Sequence, residues 1–277
     1  MGRILLTALI LIALDTTAQV KSIKVMTYNI RLDHPVDSIN QWPKRDHKVY
    51  ALIKKYDPDI FGVQEALHHQ MEGLNKNLSA YDFVGVGRDD GRTKGEYSAI
   101  FFKPSRFRLL DQNTFWLSET PDVPGSKSWN TAFTRVATWA KLEDKKTKKV
   151  FFILNTHFDH ISLEARRASA QLIKAKLSVL AGDLPVLITG DFNCEPTEAP
   201  YRVMTSDDMP KLTDAHPQES AQGTFCTFSV NNPCRRIDYL FYSSPWKKTD
   251  YTIITDNNGQ YYPSDHLPVL GEFILPK

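Results

Sequence analysis

The sequence has few cysteines, little net charge and no long apolar run. Its 277 residues include only 3 cysteines, too few for a fold held together by several disulfides. No segment approaches the roughly 18 consecutive apolar residues of a membrane-spanning helix. The formal net charge is +2, which by itself does not indicate a polyanionic partner. With 42% hydrophobic residues, the chain has the composition of one large globular domain.

The first residues carry the pattern of an export signal. Arg3 precedes an apolar stretch of about 11 residues, which is shorter than a membrane span. Small residues follow at Thr17 and Ala18. We therefore predict a signal peptide over residues 1–18 and an exported protein, periplasmic or extracellular, that begins at residue 19. An uncleaved N-terminal anchor is the alternative.

The cysteines allow at most one disulfide within the chain. Cys226 and Cys234 flank a turn-like segment at residues 229–233, so they could face each other across a hairpin. An exported protein can hold such a bond, but the spacing alone leaves open whether it forms. Cys194 would be left over, and no zinc-type spacing is present.

Strand-like and helix-like segments alternate along residues 19–277. Strands are predicted at residues 23–29, 60–64, 99–102, 135–142, 150–155, 186–189, 236–242 and 267–274, and helices at residues 42–55, 68–78 and 164–180. The two halves share the order strand, polar terminus, helix, strand, polar terminus. This mixture predicts a single α/β domain of two packed mixed sheets with helices outside.

Polar residues stand where several apolar strands should end. Glu65 follows residues 59–63, and Asp191 and Asn193 follow residues 184–189. Near the end of the chain, residues 264–266 form a third such group, Ser-Asp-His. Because ligands of α/β proteins bind at the carboxyl ends of strands, these groups indicate a convergent acidic site for a hard cation and a phosphate ester.

Six short motifs occur in a fixed order along the chain. They are MTYNIR at 26–31, VQE at 63–65, NTH at 155–157, GDFN at 190–193, RIDY at 236–239 and SDH at 264–266. Together they resemble the endonuclease/exonuclease/phosphatase superfamily over essentially all of residues 19–277. The resemblance implies a four-layer α/β sandwich, with two mixed sheets face to face and helices outside, and magnesium-dependent cleavage of phosphoesters. Residues 115–135 are also similar to an exported bacterial branch of this family.

The resemblance implies a metal site. Glu65 is the first predicted ligand, because a carboxylate is the hard oxygen donor that Mg²⁺ prefers, and Mn²⁺ is the alternative ion. Asn29 and Asp265 are implied to lie near the same ion. Many nucleases of the family carry an acidic residue near position 31, where this chain has Arg31. Whether one or two ions bind therefore stays open.

Five residues are predicted to act on the phosphate. Asp191 and Asn193 lie two apart and can face the same side of an extended chain. Asp191 is expected to accept a proton from the attacking water, and Asn193 to donate to a phosphate oxygen. The resemblance assigns charge stabilisation to His266, with Asp238 as its orienting partner. It also makes His157 similar to a phosphate-contacting histidine.

Four residues are predicted to bind substrate, namely Arg31, Arg45, Glu96 and Arg135. Guanidinium groups fit phosphate oxygens, although Arg45 and Arg135 are equally suited to structural ion pairs. Glu96 precedes a strand at a place where the family often keeps a polar site residue. His160, which follows His157 by three residues, could lie at the pocket edge.

These residues predict an exported Mg²⁺-dependent phosphoesterase that acts as a monomer and uses in-line attack of water. The alternatives are a secreted nuclease acting on DNA or RNA and a non-catalytic binding module on the same fold. The loop with Arg88, Arg92 and Lys94 is interrupted by two acidic residues, which favours a small or locally recognised ester over long nucleic acid. The choice among sugar, inositol and lipid phosphates stays open.

Overall fold

The computed structural model describes residues 22–217 and 220–276. The predicted signal peptide at residues 1–18 lies outside the described residues, so its cleavage and the export of the protein stay predictions. Within the described ranges, no helix combines the length and the apolar character needed to cross a membrane.

The strands of the described chain form two six-stranded sheets. Their bounds are β1 (Ile23–Asn29), β2 (Ile60–Ala66), β3 (Asp82–Val84), β4 (Tyr97–Phe102), β5 (Phe107–Trp116), β6 (Val136–Asp144), β7 (Val150–His157), β8 (Val186–Asp191), β9 (Leu212–Asp214), β10 (Asp238–Ser243), β11 (Lys247–Ile253) and β12 (Val269–Ile274). The first sheet has the order β11-β12-β1-β2-β4-β3 and the second the order β5-β6-β7-β8-β10-β9. In each sheet one central pair is parallel, β1 with β2 and β7 with β8, and the carboxyl ends of these four strands carry the site.

The helices are α1 (Trp42–Tyr56), α2 (His68–Asn77), α3 (Leu163–Leu180) and the short α4 (Ala199–Met204), with a 3-10 segment at Pro35–Asn40. Proline in the first turn of α1 suits its start, because that position needs no N–H donor. Ser162 caps α3 by accepting the N–H of Ala165 at 3.1 Å. Local chemistry therefore sets where both long helices begin.

Three apolar clusters define four layers. The cluster between the sheets joins residues of both, among them Val25 and Ile60 from the first and Ile153 and Leu187 from the second. A second cluster packs α1 and α2 on the outer face of the first sheet, and a third packs α3 on the outer face of the second. The predicted four-layer sandwich is therefore confirmed.

Each predicted strand and helix is present with ends that differ by a few residues, but two long strands were not predicted. These are β5 and β11, which lie at the edges of the two sheets. Residues 108–113 of β5 are all exposed, and β11 begins with mostly exposed polar residues. Neither segment has the alternation of apolar and polar residues that marks a half-buried strand.

Cys226 and Cys234 form the disulfide that the spacing left open. The residues just outside the bridge, Phe225 and Arg235, exchange backbone hydrogen bonds of 2.9 and 3.1 Å. Cys194 is a buried free thiol. Burial raises its pKa to about 12, so this thiol stays protonated and unreactive at neutral pH.

Candidate active site

The site lies where the central strands of both sheets end. His157, Asp191 and Asp238 are direct neighbours on three adjacent strands of the second sheet, while Asn29 ends β1 of the first. Above them lies a cavity of about 670 Å³. Most predicted site residues line it, namely Arg31, Glu65, Glu96, Arg135, His157, Asp191, Asn193, Asp265 and His266.

Glu65 reaches the cavity because β2 is irregular at this point. Its φ of 65° lies in the left-handed region, and the pairing of β2 with β4 shifts register between Val63 and Ala66. Such irregularities redirect side chains and are common next to active sites. The carboxylate of Glu65 then accepts the backbone N–H of Leu32 at 3.1 Å.

Asn29 holds two carboxylates together beneath the cavity. Its side-chain nitrogen donates to Glu65 Oε1 at 3.0 Å and to Asp191 Oδ2 at 2.9 Å. Its side-chain oxygen accepts the N–H of Arg31 at 3.0 Å. In this orientation Asn29 positions the two carboxylates, and its predicted place near the ion stays a prediction.

Glu65, Asp191 and His266 form a compact group of potential metal ligands, with one donor atom of each within 4.8 Å of the others. Two buried carboxylates so close together need positive charge nearby, and their oxygens suit a hard cation such as Mg²⁺ or Mn²⁺. The donor set therefore fits a divalent ion held at Glu65, with Asp191 beside it. Asp265 also lines the cavity but does not belong to this group, and its Oδ2 lies 3.8 Å from Arg31.

His266 is held as a cation by acidic neighbours. Its Nδ1 lies 2.9 Å from Asp238 Oδ2, and its Nε2 lies 3.7 Å from Asp191 Oδ2. Burial acts to lower the pKa of His266, but Asp238 and Asp191 together raise it to about 10. A protonated imidazole with its second N–H directed at the cavity can stabilise negative charge on a phosphate.

Asp191 is a carboxyl group with a pKa close to neutrality. Burial and the nearby Asp238 raise its pKa to about 7, although His266 acts in the opposite direction. Its Oδ1 accepts the N–H of Asn193 at 2.9 Å, which fixes the side chain. A general base works best when its pKa lies near the operating pH, so Asp191 suits proton transfer from water.

Arg135 fixes the protonation of two histidines. Its guanidinium, which can only donate, lies 2.9 Å from Nδ1 of His157 and 3.0 Å from Nδ1 of His160. Both Nδ1 atoms must therefore be acceptors. Burial and the charge of Arg135 hold the pKa of both rings below the usual value. Each ring is thus neutral, with its proton on Nε2.

The proton on His157 Nε2 places two donors side by side. This atom lies 3.0 Å from the side-chain nitrogen of Asn193, which also donates to the carbonyl of Phe158 at 3.1 Å. His157 Nε2 also lies 3.5 Å from Asp191 Oδ2, and N–H donors that border the cavity suit a phosphate oxygen. The predicted phosphate contacts of His157 and Asn193 therefore have the necessary geometry.

Arg31 and Glu96 line the cavity but are already engaged. Arg31 makes two 3.0 Å hydrogen bonds to Asp37 and lies 3.7 Å from Glu65. Burial acts to raise the pKa of Glu65, but His266 and Arg31 bring it below the usual value. Glu96 accepts a 2.6 Å hydrogen bond from Arg88. Both are charge partners of neighbouring site residues, and their predicted substrate contacts stay predictions.

Arg45 does not bind in the cavity, and its predicted substrate role is corrected. Its side chain is only 2% exposed. The guanidinium donates to backbone carbonyls of Ile30, Arg31 and Asn40 at 2.5 to 2.7 Å. These bonds tie α1 to the segment that follows β1, which is a structural role.

Other lining residues were missed by sequence reasoning. They include Phe133, Phe225, Arg166, Arg235, Glu195 and Glu198. All of them lie outside the strands, on loops or near helix starts. His160 also lines the cavity, as its spacing from His157 suggested. The others come from different segments of the chain that only the folded structure brings to one cavity.

Comparisons with known proteins agree with this geometry. The family model described as Endonuclease/Exonuclease/phosphatase family matches residues 26–266. The structure is similar to an endonuclease/exonuclease/phosphatase from Bacteroides vulgatus, with 39% identity, a TM-score of 0.87, and coverage of 92% of this chain and 99% of that one. It is equally similar to the mannosyl-6-phosphatase Bt3783 of Bacteroides thetaiotaomicron, with 36% identity, a TM-score of 0.87, and coverage of 92% and 100%.

Curated sequences give more distant matches. Nocturnin of Rattus norvegicus is 25% identical over 302 residues, which cover 94% of this chain and 67% of nocturnin. The chain spans 61% to 67% of the first curated relatives that it matches. The family model covers most of the chain, and the strand-end motifs meet in one cavity. The chain therefore belongs to the Endonuclease/Exonuclease/phosphatase family.

Proposed function

We propose that this phosphoester hydrolase uses Mg²⁺ to hydrolyse a small phosphate ester, most simply a monoester, outside the cytoplasm. The observation that carries the proposal is the arrangement of Asp191 and His266. Both side chains are buried, both line the cavity, and Asp191 Oδ2 lies 3.7 Å from His266 Nε2. The proposed location rests on residues 1–18 alone.

The residues divide the chemical work. Asp191 accepts the proton of the attacking water, and His266 stabilises the charge that grows on the phosphoryl oxygens. His157 and Asn193 hold a phosphate oxygen through their N–H groups. When bound, the divalent ion neutralises the phosphate and stabilises the leaving oxygen. Glu65 would hold this ion.

The size of the cavity favours a small substrate. Its volume of about 670 Å³ lies in the range of small-molecule pockets. Acidic side chains interrupt the basic ones around it, and the net charge of +2 provides no extended track for a polyanion. A relative that is 36% identical is named a mannosyl-6-phosphatase, which places sugar phosphates among the candidates.

Purified protein assayed with phenyl phosphate, bis(p-nitrophenyl) phosphate and plasmid DNA tests the proposal. We expect Mg²⁺-dependent hydrolysis of the monoester that EDTA abolishes and added Mg²⁺ restores. The Asp191→Asn variant should lower kcat by about 10²- to 10⁴-fold, the range for losing a general base. The matched control is Asp183→Asn, which changes an exposed aspartate beyond the end of α3 and should keep normal kcat.

Three results would contradict the proposal. Full activity in EDTA would exclude a divalent ion from the mechanism. Efficient nicking of plasmid, with binding that weakens steeply as salt rises, would move the protein to the nucleases. No Mg²⁺-dependent hydrolysis of any of the three substrates would favour a non-catalytic binding module.

A further inference from the structure

The disulfide hairpin forms one wall of the cavity beside the catalytic histidine. Phe225 precedes Cys226, and Arg235 follows Cys234, so the bridge lies next to both residues. The Phe225 ring centroid lies 4.8 Å from that of His266. The Arg235 guanidinium lies 5.5 Å from the Phe225 ring. An aromatic face and a cation are therefore held together on the cavity wall beside His266.

Arg235 and Glu195 both border this wall with their charges unused. Within residues 22–217 and 220–276, neither side chain makes a hydrogen bond or an ion pair, and they do not pair with each other. Both also line the adjoining cavity of about 690 Å³, so they stand on the ridge between the two cavities. By contrast, Arg166 and Glu198 on the same rim pair with each other at 3.5 Å.

We propose that Phe225, Arg235 and Glu195 form a subsite that binds the hydroxyl groups of a cyclic polyol, such as the sugar of a sugar phosphate. The inference rests on the proposed function, because it concerns the alcohol part of the same ester. It assigns specificity to residues that have no role in the proposed chemical step.

The hydrogen-bonding properties of Arg235 and Glu195 favour a ligand with several hydroxyl groups. A guanidinium only donates hydrogen bonds and a carboxylate only accepts them, whereas a hydroxyl group does both. Neighbouring hydroxyls can therefore satisfy Arg235 and Glu195 at the same time. A second phosphate would be attracted by Arg235 but repelled by Glu195. An alkyl chain would desolvate both charges without partners, which is costly. Phe225 adds an apolar face for the ring itself.

A pair of matched substrates tests the inference. Mannose 6-phosphate and cyclohexylmethyl phosphate carry rings of the same size, but only the sugar has hydroxyl groups. We expect wild-type protein with Mg²⁺ to prefer the sugar phosphate. In Arg235→Gln and in Glu195→Gln, kcat/KM for mannose 6-phosphate divided by kcat/KM for cyclohexylmethyl phosphate should fall by about tenfold to hundredfold. This is the effect of losing a hydrogen bond to a charged group. The change should appear mainly in KM.

The control variant is Arg167→Gln. Arg167 is an exposed arginine on α3 that bonds only to Gln171, at 3.1 Å. It should keep the wild-type ratio, which separates a subsite effect from a general loss of surface charge.

The outcomes distinguish the two proposals. If cyclohexylmethyl phosphate is hydrolysed but the wild type shows no preference for the sugar phosphate, the subsite is wrong and the proposed function stands. An unchanged ratio in both variants leads to the same conclusion. If no ester is hydrolysed with Mg²⁺ present, the proposed function fails and the subsite fails with it.

Discussion

Replacing Asp238 by asparagine tests whether His266 acts through its charge. Asp238 and His266 are both buried and lie 2.9 Å apart. Asparagine has nearly the same shape, and its side-chain oxygen can still accept the Nδ1–H of His266. Asp238→Asn therefore removes one negative charge while it preserves the orientation of the ring.

The expected shift follows from the contact. An opposite charge within about 4–6 Å moves a pKa by roughly one to three units, and Asp238 is the strongest neighbour that raises the pKa of His266 to about 10. In the variant this pKa should fall to between about 7 and 9. That change corresponds to about 1.4 to 4 kcal/mol of lost stabilisation of the imidazolium.

The assay is kcat/KM for phenyl phosphate between about pH 6 and 10 at saturating Mg²⁺, a range set by the ordinary and shifted pKa values of histidine. Near pH 6 both proteins have a protonated His266, so a difference there reflects Asp191, whose pKa Asp238 also raises. At about pH 9 the variant has largely lost that proton, so the ratio of wild-type to variant activity should rise steeply. A variant whose profile is the wild-type profile scaled by a constant factor would show that Asp238 acts only by orientation.

The free energy of unfolding provides a second readout. The difference between wild type and Asp238→Asn should shrink as pH rises, whereas the difference in activity should grow. The folded-state pKa of His266 is raised, so its contribution is complete below about pH 6.5 and is lost as pH rises through about 10. The difference in free energy of unfolding between wild type and Asp238→Asn should be largest below about pH 7 and vanish near pH 10. Urea denaturation measured across this range gives the comparison.

Three further predictions concern other parts of the structure. Glu65→Gln should weaken Mn²⁺ binding, followed by electron paramagnetic resonance, by about tenfold or more, because the carboxylate that holds the ion is lost. Arg45→Met should lower the free energy of unfolding by about 3 kcal/mol or more, since several buried carbonyls lose their donor; a variant of normal stability would contradict the structural role. Replacing Cys226 and Cys234 by serine should cost about 2.5 kcal/mol for a bridge across 8 residues and reduce the preference for the sugar phosphate, as measured by urea denaturation and kcat/KM ratios.

The sequence was sufficient to predict the central part of the fold, because the buried strands carry long apolar runs with polar residues at their ends. Asp191 and Asn193 follow such a run, and their position at a strand end is confirmed. The edge strands β5 and β11 were missed because a strand with an exposed surface does not need apolar alternation. Their pairing depends on partners that a local pattern does not show.

The site was predictable where its residues belong to the strands. Arg45 shows the limit of that reasoning, because an arginine suits phosphate and backbone carbonyls equally well, and only its burial distinguishes them. The position of the proton on His157 could not be predicted from the sequence either. It depends on Arg135, which lies 22 residues earlier in the chain and donates to Nδ1.

This contrast separates the chemistry of the protein from its specificity. Asp191, Asp238 and His157 belong to neighbouring strands, where paired backbones and burial hold them in place. Phe225 and Arg235 lie on a hairpin held by a disulfide, which can change in sequence without disturbing the sheets. Relatives that share the strand ends can therefore differ in the alcohol they release, and family membership alone does not identify it. The substrate of this protein should accordingly be sought through the loops that border the cavity.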